Sequence, residues 1–443
     1  MYLERDEDLQ NFLRDNGFDS IDLRSDLELN CSVPDILEFP NLFRKKSIFN
    51  LVFCGVTCLY LFIFLAIVCD DYLVTSMERL SYALRMTYDI AGATFMAAST
   101  SAPELFVNFV GTFVTEGDIG VGTIVGSSVF NILAICAVCG LCTGVTSKLD
   151  WWPITRDIAW YLISIVVLCV VLLDSLVTVY ESVILCVGYI LYMICLLFDI
   201  KIQRLFREVD HEAERITENP MDREEEPLKS FKDHVLTPPE GGCCAWVWWI
   251  IKYPSLLVLA LTVPSVRTIY LLTMIVSVVW ISVVSYILTW FLTVVGYNIG
   301  IPDSIMGLTI LAAGTSVPEA VSSYIVTKKG YGAMAVCNAV GSNTFDIFIC
   351  LGLPWLLKHL ILRRSVEINS SGLAITSAML LITGILLFVS FLVTKWTMGK
   401  LVGFICLIAY LIFLVISCAL EIYLLKPTCD IESAEYEYLA KNK

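Results

Sequence analysis

Two glutamates hold the residues best suited to chemistry in this chain. Glu104 and Glu319 each close a Thr-Ser-x-Pro-Glu segment, Thr100-Ser101-Ala102-Pro103-Glu104 and Thr315-Ser316-Val317-Pro318-Glu319. Both segments interrupt apolar stretches. Ionisable residues at membrane depth are costly and mark functional sites by default. Proline removes a backbone donor and crowds the carbonyl one turn back. Each helix is therefore expected to break here and free carbonyls near Ala97 and Ala312. Glu104 and Glu319, with those carbonyls and the hydroxyls of Thr100, Ser101, Thr315 and Ser316, make an all-oxygen set. Calcium takes about six to eight such ligands. No Cys or His falls within either segment, which counts against a soft transition metal.

The two segments belong to an internal repeat. Residues 92–131 and 307–346 align without a gap and share 15 of 40 residues. Glu104 and Glu319 stand 215 positions apart, and so do Asn131 and Asp346. Each window ends in a related stretch, Val125-Gly-Ser-Ser-Val-Phe-Asn131 or Val340-Gly-Ser-Asn-Thr-Phe-Asp346. Asp346 adds a third acid where the first repeat is neutral. Three carboxylates balance one divalent and one monovalent cation, whereas two would balance calcium alone. Small residues such as Gly126, Ser127, Gly341 and Ser342 also suit close helix packing, and a lone proline is often a mere kink. A full motif repeated at one offset favours a site.

These residues need a membrane scaffold to position them. The chain has 443 residues, 57% hydrophobic and 16% charged, whereas soluble domains carry about 25% charge. A spanning helix needs about 20 apolar residues. Ten spans are expected, near 49–69, 87–113, 119–144, 155–173, 177–199, 270–295, 304–326, 332–357, 373–394 and 400–421. The fold class is thus all-α and polytopic, in two five-helix repeats. An odd number of spans per half inverts the second, so a pseudo-two-fold axis would bring Glu104 and Glu319 face to face. The expected organisation is an acidic segment 1–48, a first half 49–199, a cytoplasmic connection 200–269, a second half 270–421 and an acidic tail 422–443. Ile250–Pro264 reads as an interfacial or re-entrant segment. Paired interrupted helices in two halves point to a transporter's binding site.

Charge gives an orientation. An outside N-terminus puts Arg79, Lys148, Arg156, Lys201, Arg204, Lys328 and Lys395 among the inside residues and leaves Arg44, Lys45, Lys46, Lys358, Arg363 and Arg364 outside, so the balance of the positive-inside rule favours it. The sequons Asn30-Cys-Ser32 and Asn369-Ser-Ser371 then share the outer side. Net charge is −14, a poor match to nucleic acid. No leader with an apolar core precedes Phe49, so the first span is expected to do the targeting. Most of the 17 cysteines read as small hydrophobes in helices. Cys31 and Cys429 could pair, and Cys243-Cys244 could carry a palmitoyl chain. Asp157, Asp174, Glu181 and Glu421 read as span-end charges.

Taken together, the repeat windows resemble those of the potassium-dependent sodium/calcium exchangers. So do Ile67-Val-Cys-Asp-Asp71, Trp151-Trp-Pro-Ile-Thr-Arg-Asp157 and Gly352-Leu-Pro-Trp355. The resemblance covers nearly the whole apolar region. It implies a ten-span plasma-membrane antiporter whose transported ions are calcium, sodium and potassium, with no cofactor and no enzymatic activity. Glu104 and Glu319 would be the central calcium carboxylates and Asp346 the potassium-linked acid. Thr100, Ser101, Ser127, Asn131, Thr315, Ser316 and Ser342 would supply sodium and calcium oxygens. Ser99 stands where that family has Gly, and Glu319 where the potassium-dependent branch has Asp. The alternatives are a calcium/proton or other cation exchanger of the same fold, potassium-independent exchange, a cation channel, or an internal organelle membrane.

Overall fold

A computed structural model describes residues 47–84, 97–115, 119–144, 146–173, 176–199, 242–264, 269–301, 303–328, 332–363, 365–368 and 371–424. Asn30, Cys31, Asp174, Asn369 and Cys429 lie outside them, as do the side chains of Cys243, Cys244 and Glu421.

In chain order, α1 (Ile48–Ile67) runs through a π-helical turn, Val68–Val74, into α2 (Thr75–Ala83). The first motif helix comes in two pieces, α3 (Ala97–Thr100) and α4 (Ala102–Val110), and ends in a π turn, Gly111–Thr115. Next come α5 (Ile119–Val129), a π turn at Phe130–Ile135 and α6 (Cys136–Cys142), then α7 (Trp151–Val171) and α8 (Val179–Leu197). After the connection come α9 (Cys243–Thr262) and α10 (Tyr270–Ile299). The second motif helix is again divided: α11 (Asp303–Met306), a π turn at Gly307–Leu311, α12 (Ala312–Thr315) and α13 (Val317–Lys328). Then α14 (Gly332–Phe345), a π turn at Asp346–Leu351 and α15 (Gly352–Leu362) precede α16 (Ser371–Val393) and α17 (Lys400–Leu424).

Among the described residues, eight helices are long and apolar enough to cross a membrane. The two remaining expected spans, 87–113 and 304–326, are the motif helices, which break where proline requires it. Ser101 leaves the helix at φ −90°, ψ 9°, and Ser316 does so at φ −90°, ψ 3°. Equal geometry at equivalent positions shows one device used twice. Two further π turns, Phe130–Ile135 and Asp346–Leu351, also match across the repeats. Such turns widen a helix and are frequent at functional sites.

The inverted arrangement is visible in the hydrogen bonds. Asn343 Nδ2 donates to the Ser128 carbonyl at 3.1 Å, and these residues occupy equivalent places in the two repeats. Equivalent positions can touch only beside the axis that relates them. Two short antiparallel ribbons repeat the pattern. Ser147–Lys148 pairs with Thr397–Met398, and Leu176–Val177 pairs with Val366–Glu367. Exchanging the halves turns one ribbon into the other.

The core lies where the repeats cross. Every residue of α5 is buried, as expected of a helix apolar all round. It packs on the π turn Gly307–Leu311 of the other repeat. The helices α1 and α10 run antiparallel outside this core. Phe53 meets Phe291 at 6.4 Å and Phe64 meets Trp280 at 5.4 Å between ring centroids. At the start of α8, Thr178 and Glu181 form a capping box that satisfies the first turn. Asp157 corrects the interfacial expectation: it is 3% exposed and paired with Arg156 at 2.8 Å. Arg156 also reaches Asp199 at 2.8 Å, so it bridges two acids, and its bond to Asp157 offsets that residue's burial.

Candidate ion-binding site

Each motif break aims polar atoms at the crossing point. Glu104 is 0% and Glu319 2% exposed. Both oxygens of both carboxylates lack a hydrogen-bond partner among the described residues, as do Ser101 Oγ, Ser316 Oγ, Asn131 Oδ1 and Asp346 Oδ2. Native interiors leave few polar groups unpaired. Eight such oxygens, drawn from both repeats, gather at these matched positions. The Thr315 and Ser316 side chains approach Glu104, and Ser316 also approaches Glu319. Ser101 approaches Asp346. The carboxylates lie within electrostatic reach of one another.

The hydroxyls donate to backbone carbonyls of their own helices. Ser127 donates to the Ile124 carbonyl and Ser342 to the Ala339 carbonyl, both at 3.2 Å. These bonds are symmetry equivalents. A hydroxyl whose proton is held by the backbone presents its lone pairs outward. Thr315 does the same, bonding Leu311 at 3.1 Å and Ala312 at 3.3 Å. The Ala312 carbonyl also accepts from the Ser316 N–H at 3.3 Å. This corrects the expectation that Ala312 offers a free carbonyl. The carbonyl that loses its helical donor to Pro318 is four residues back, at Gly314. Thr100 sits at the end of α3, half-buried.

Sequence reasoning missed three residues. Asn343 holds the axis: besides its bond to Ser128, its Oδ1 accepts from Asn131 Nδ2 at 3.0 Å. That bond fixes the Asn131 amide so that Oδ1 is presented as an acceptor. Cys350 donates to Asp346 Oδ1 at 3.5 Å and lies 3.7 Å from the Ser101 carbonyl. Cys350, outside both motif segments, thus lies beside Asp346, because residues four apart share a helix face. It acts there as a thiol donor. Asn108 Nδ2 secures the Cys350 carbonyl at 2.5 Å. The spacing of four from Asp346 was the available signal.

Among the described residues no three acid, cysteine or histidine side chains converge closely enough to hold one metal ion. A cation bound between Glu104 and Glu319 would thus complete its shell from hydroxyl and carbonyl oxygens, with Asp346 serving a neighbouring position.

Gly314 is the second-repeat equivalent of Ser99. A Cβ at Gly314 would strike the Phe62 ring of α1, so this glycine allows close approach of α1 to the broken helix. Gly314 lies within helical α12, so conformational freedom is not what the position needs. The equivalent Ser99 is buried at 0%.

The family model described as sodium/calcium exchanger protein matches residues 54–198 and 269–419. Human sodium/potassium/calcium exchanger 5 is 35% identical, covering 86% of each chain. The chain belongs to the potassium-dependent sodium/calcium exchanger family. Human sodium/potassium/calcium exchanger 4 is 31% identical, covering 88% of this chain and 85% of its own. The probable sodium/potassium/calcium exchanger CG1090 of Drosophila melanogaster is 29% identical, covering 90% and 85%. A solved structure of the sodium-calcium exchanger NCX_Mj superposes with a TM-score of 0.50 at 20% identity, covering 82% of this exchanger and 98% of that chain. That likeness supports the fold of this family member.

Proposed function

We propose that this exchanger expels calcium together with potassium in return for sodium, by alternating access. The observation that carries the reading is the cluster of unpartnered oxygens from both repeats at Glu104, Glu319, Ser101, Ser316, Asn131 and Asp346. Unpaired carboxylates in a dry site repel one another unless cations stand between them. Calcium would sit between Glu104 and Glu319, with oxygens from Thr100, Ser101, Thr315 and Ser316. Potassium would sit by Asp346. Sodium would use the same oxygens with Ser127, Ser342 and Asn131, so sodium and calcium compete and exchange follows. The membrane-buried repeat helices would hold the ions while α1 and α10 slide across them. The small residue Gly314 under Phe62 supports such a sliding contact.

The orientation is N-outside, in the plasma membrane. α9, at 20 residues, would lie against the bundle without crossing. Pairing of Ser147–Lys148 with Thr397–Met398 supports this reading. Those segments follow the third and ninth spans, and counting α9 as a span would put them on opposite faces.

Calcium uptake into sodium-loaded proteoliposomes tests the function. Uptake is expected only with an outward sodium gradient, and faster with external potassium; sodium-independent uptake would refute it. Asp346→Asn removes the acid that distinguishes the second repeat. Potassium stimulation is expected to fall by about tenfold, the effect of about 1.4 kcal/mol, while sodium-driven calcium uptake persists. An unchanged potassium titration would sink the role of Asp346.

A further inference from the structure

The π turn Val68–Val74 after α1 is not used by the reading above. It packs against α3 and α10, beside the ion site. Its inner residue Cys69 is 2% exposed and lies within electrostatic reach of Asp70, Glu104 and Glu319 together. Its outer residues Asp70 and Asp71 are exposed. Glu319, 2% exposed with both oxygens unpartnered, is itself within reach of Asp70. An exposed acid thus stands one step from a buried, unsatisfied one. Lys252 of α9 lies within charge reach of Asp70, with its ammonium 4.8 Å from the Trp248 ring centroid. α9 is fastened to α1 and α10 by two hydrogen bonds, and the chain just beyond it by a third. Ser255 Oγ donates to Tyr60 Oη at 2.7 Å, Trp280 Nε1 donates to Thr262 Oγ1 at 3.0 Å, and Thr273 Oγ1 donates to the Pro264 carbonyl at 2.9 Å.

We propose that Asp70 is an accessory carboxylate at the mouth of the ion site, capturing a divalent cation on its way to Glu319, and that Lys252 competes with that cation for Asp70. The inference rests on the ion-exchange reading of the same site. Charge of one sign lining a cleft raises the local concentration of the opposite ion. A π turn suits the task because its wide backbone lets Cys69 face inward while Asp70 stays at the surface. Lys252, held on a helix pinned to both α1 and α10, would meet Asp70 only while those helices keep this position. Asp70 lies at the end of the first span, on the face that carries segment 200–241, so its effect belongs to that face alone.

Radiocalcium exchange, measured separately from each face in inside-out and right-side-out vesicles of the full chain, tests this. Asp70→Asn is expected to raise the calcium KM on the face carrying segment 200–241 by about tenfold and to leave the other face unchanged. Lys252→Gln is expected to lower KM on that face only. Both shifts should shrink in high salt, which screens exposed charge. Equal KM shifts on both faces, or none on either, would overturn the proposal. If Asp70→Asn does not reach the membrane, Lys252→Gln decides alone, and an unchanged KM overturns it. Wild-type vesicles that fail to exchange sodium for calcium would refute the function itself. Wild-type exchange with a symmetric Asp70→Asn response would refute only the role of Asp70.

Discussion

Glu104→Gln is expected to cut sodium-driven calcium flux by at least about 100-fold without unfolding the protein. Loss of one partner from a buried charged pair costs about 3–5 kcal/mol, and each 1.4 kcal/mol is about tenfold in affinity. Glutamine keeps the shape of Glu104 but turns one ligand oxygen into an N–H donor that a cation repels. The sign of the stability effect separates a site from a structural role. In the absence of ions, a buried carboxylate with neither oxygen bonded is a cost. Its amide should melt at the same temperature as wild type or higher. Calcium should stabilise wild type, by about 2.7 kcal/mol at a hundred times its Kd, and leave Glu104→Gln unmoved. Flux and melting curves with and without calcium check both halves. Near-normal flux, or an equal calcium response, would remove Glu104 from the site.

Gly126→Val is expected to abolish transport for a different reason. A Cβ at Gly126 would strike the Leu308 carbonyl and come within 2.8 Å of the Ala312 Cβ, both on the opposite repeat. Backbone cannot swing aside as a flexible side chain can. Overpacking costs about 1–3 kcal/mol where the surroundings yield, and here yielding means moving α5 away from α12. That shift would part the two helices that carry the proposed ligands Ser127 and Thr315. Gly55→Ala is the control, because a Cβ there meets nothing within 4 Å. Size-exclusion profiles and calcium flux of the two variants should differ sharply. Gly126→Val behaving like Gly55→Ala would mean that the repeats do not meet as described.

Much of this was legible in the residues. The offset between Glu104 and Glu319 gave the repeat, and proline gave the breaks, because a missing N–H acts locally whatever the tertiary setting. The packing between repeats was not legible. Asn343 differs from its equivalent, Ser128, so identity across the repeats passes over the residue that holds the axis. The ribbons are two residues long and carry no alternation to read. The π turns have no sequence signature, since they arise from how neighbouring helices press on a span. Asp157 sits at a span edge by hydropathy, yet Arg156 lets it be buried. Gly314 carries no sequence sign of its partner, yet its surroundings show a seat for Phe62.

Equilibrium calcium binding to the purified full chain, titrated against sodium in wild type and Glu319→Gln, tests the central claim most directly. The account predicts one calcium per chain in wild type, displaced competitively by sodium, and loss of that binding in Glu319→Gln. Calcium binding in Glu319→Gln with wild-type affinity and the same sodium competition would contradict it.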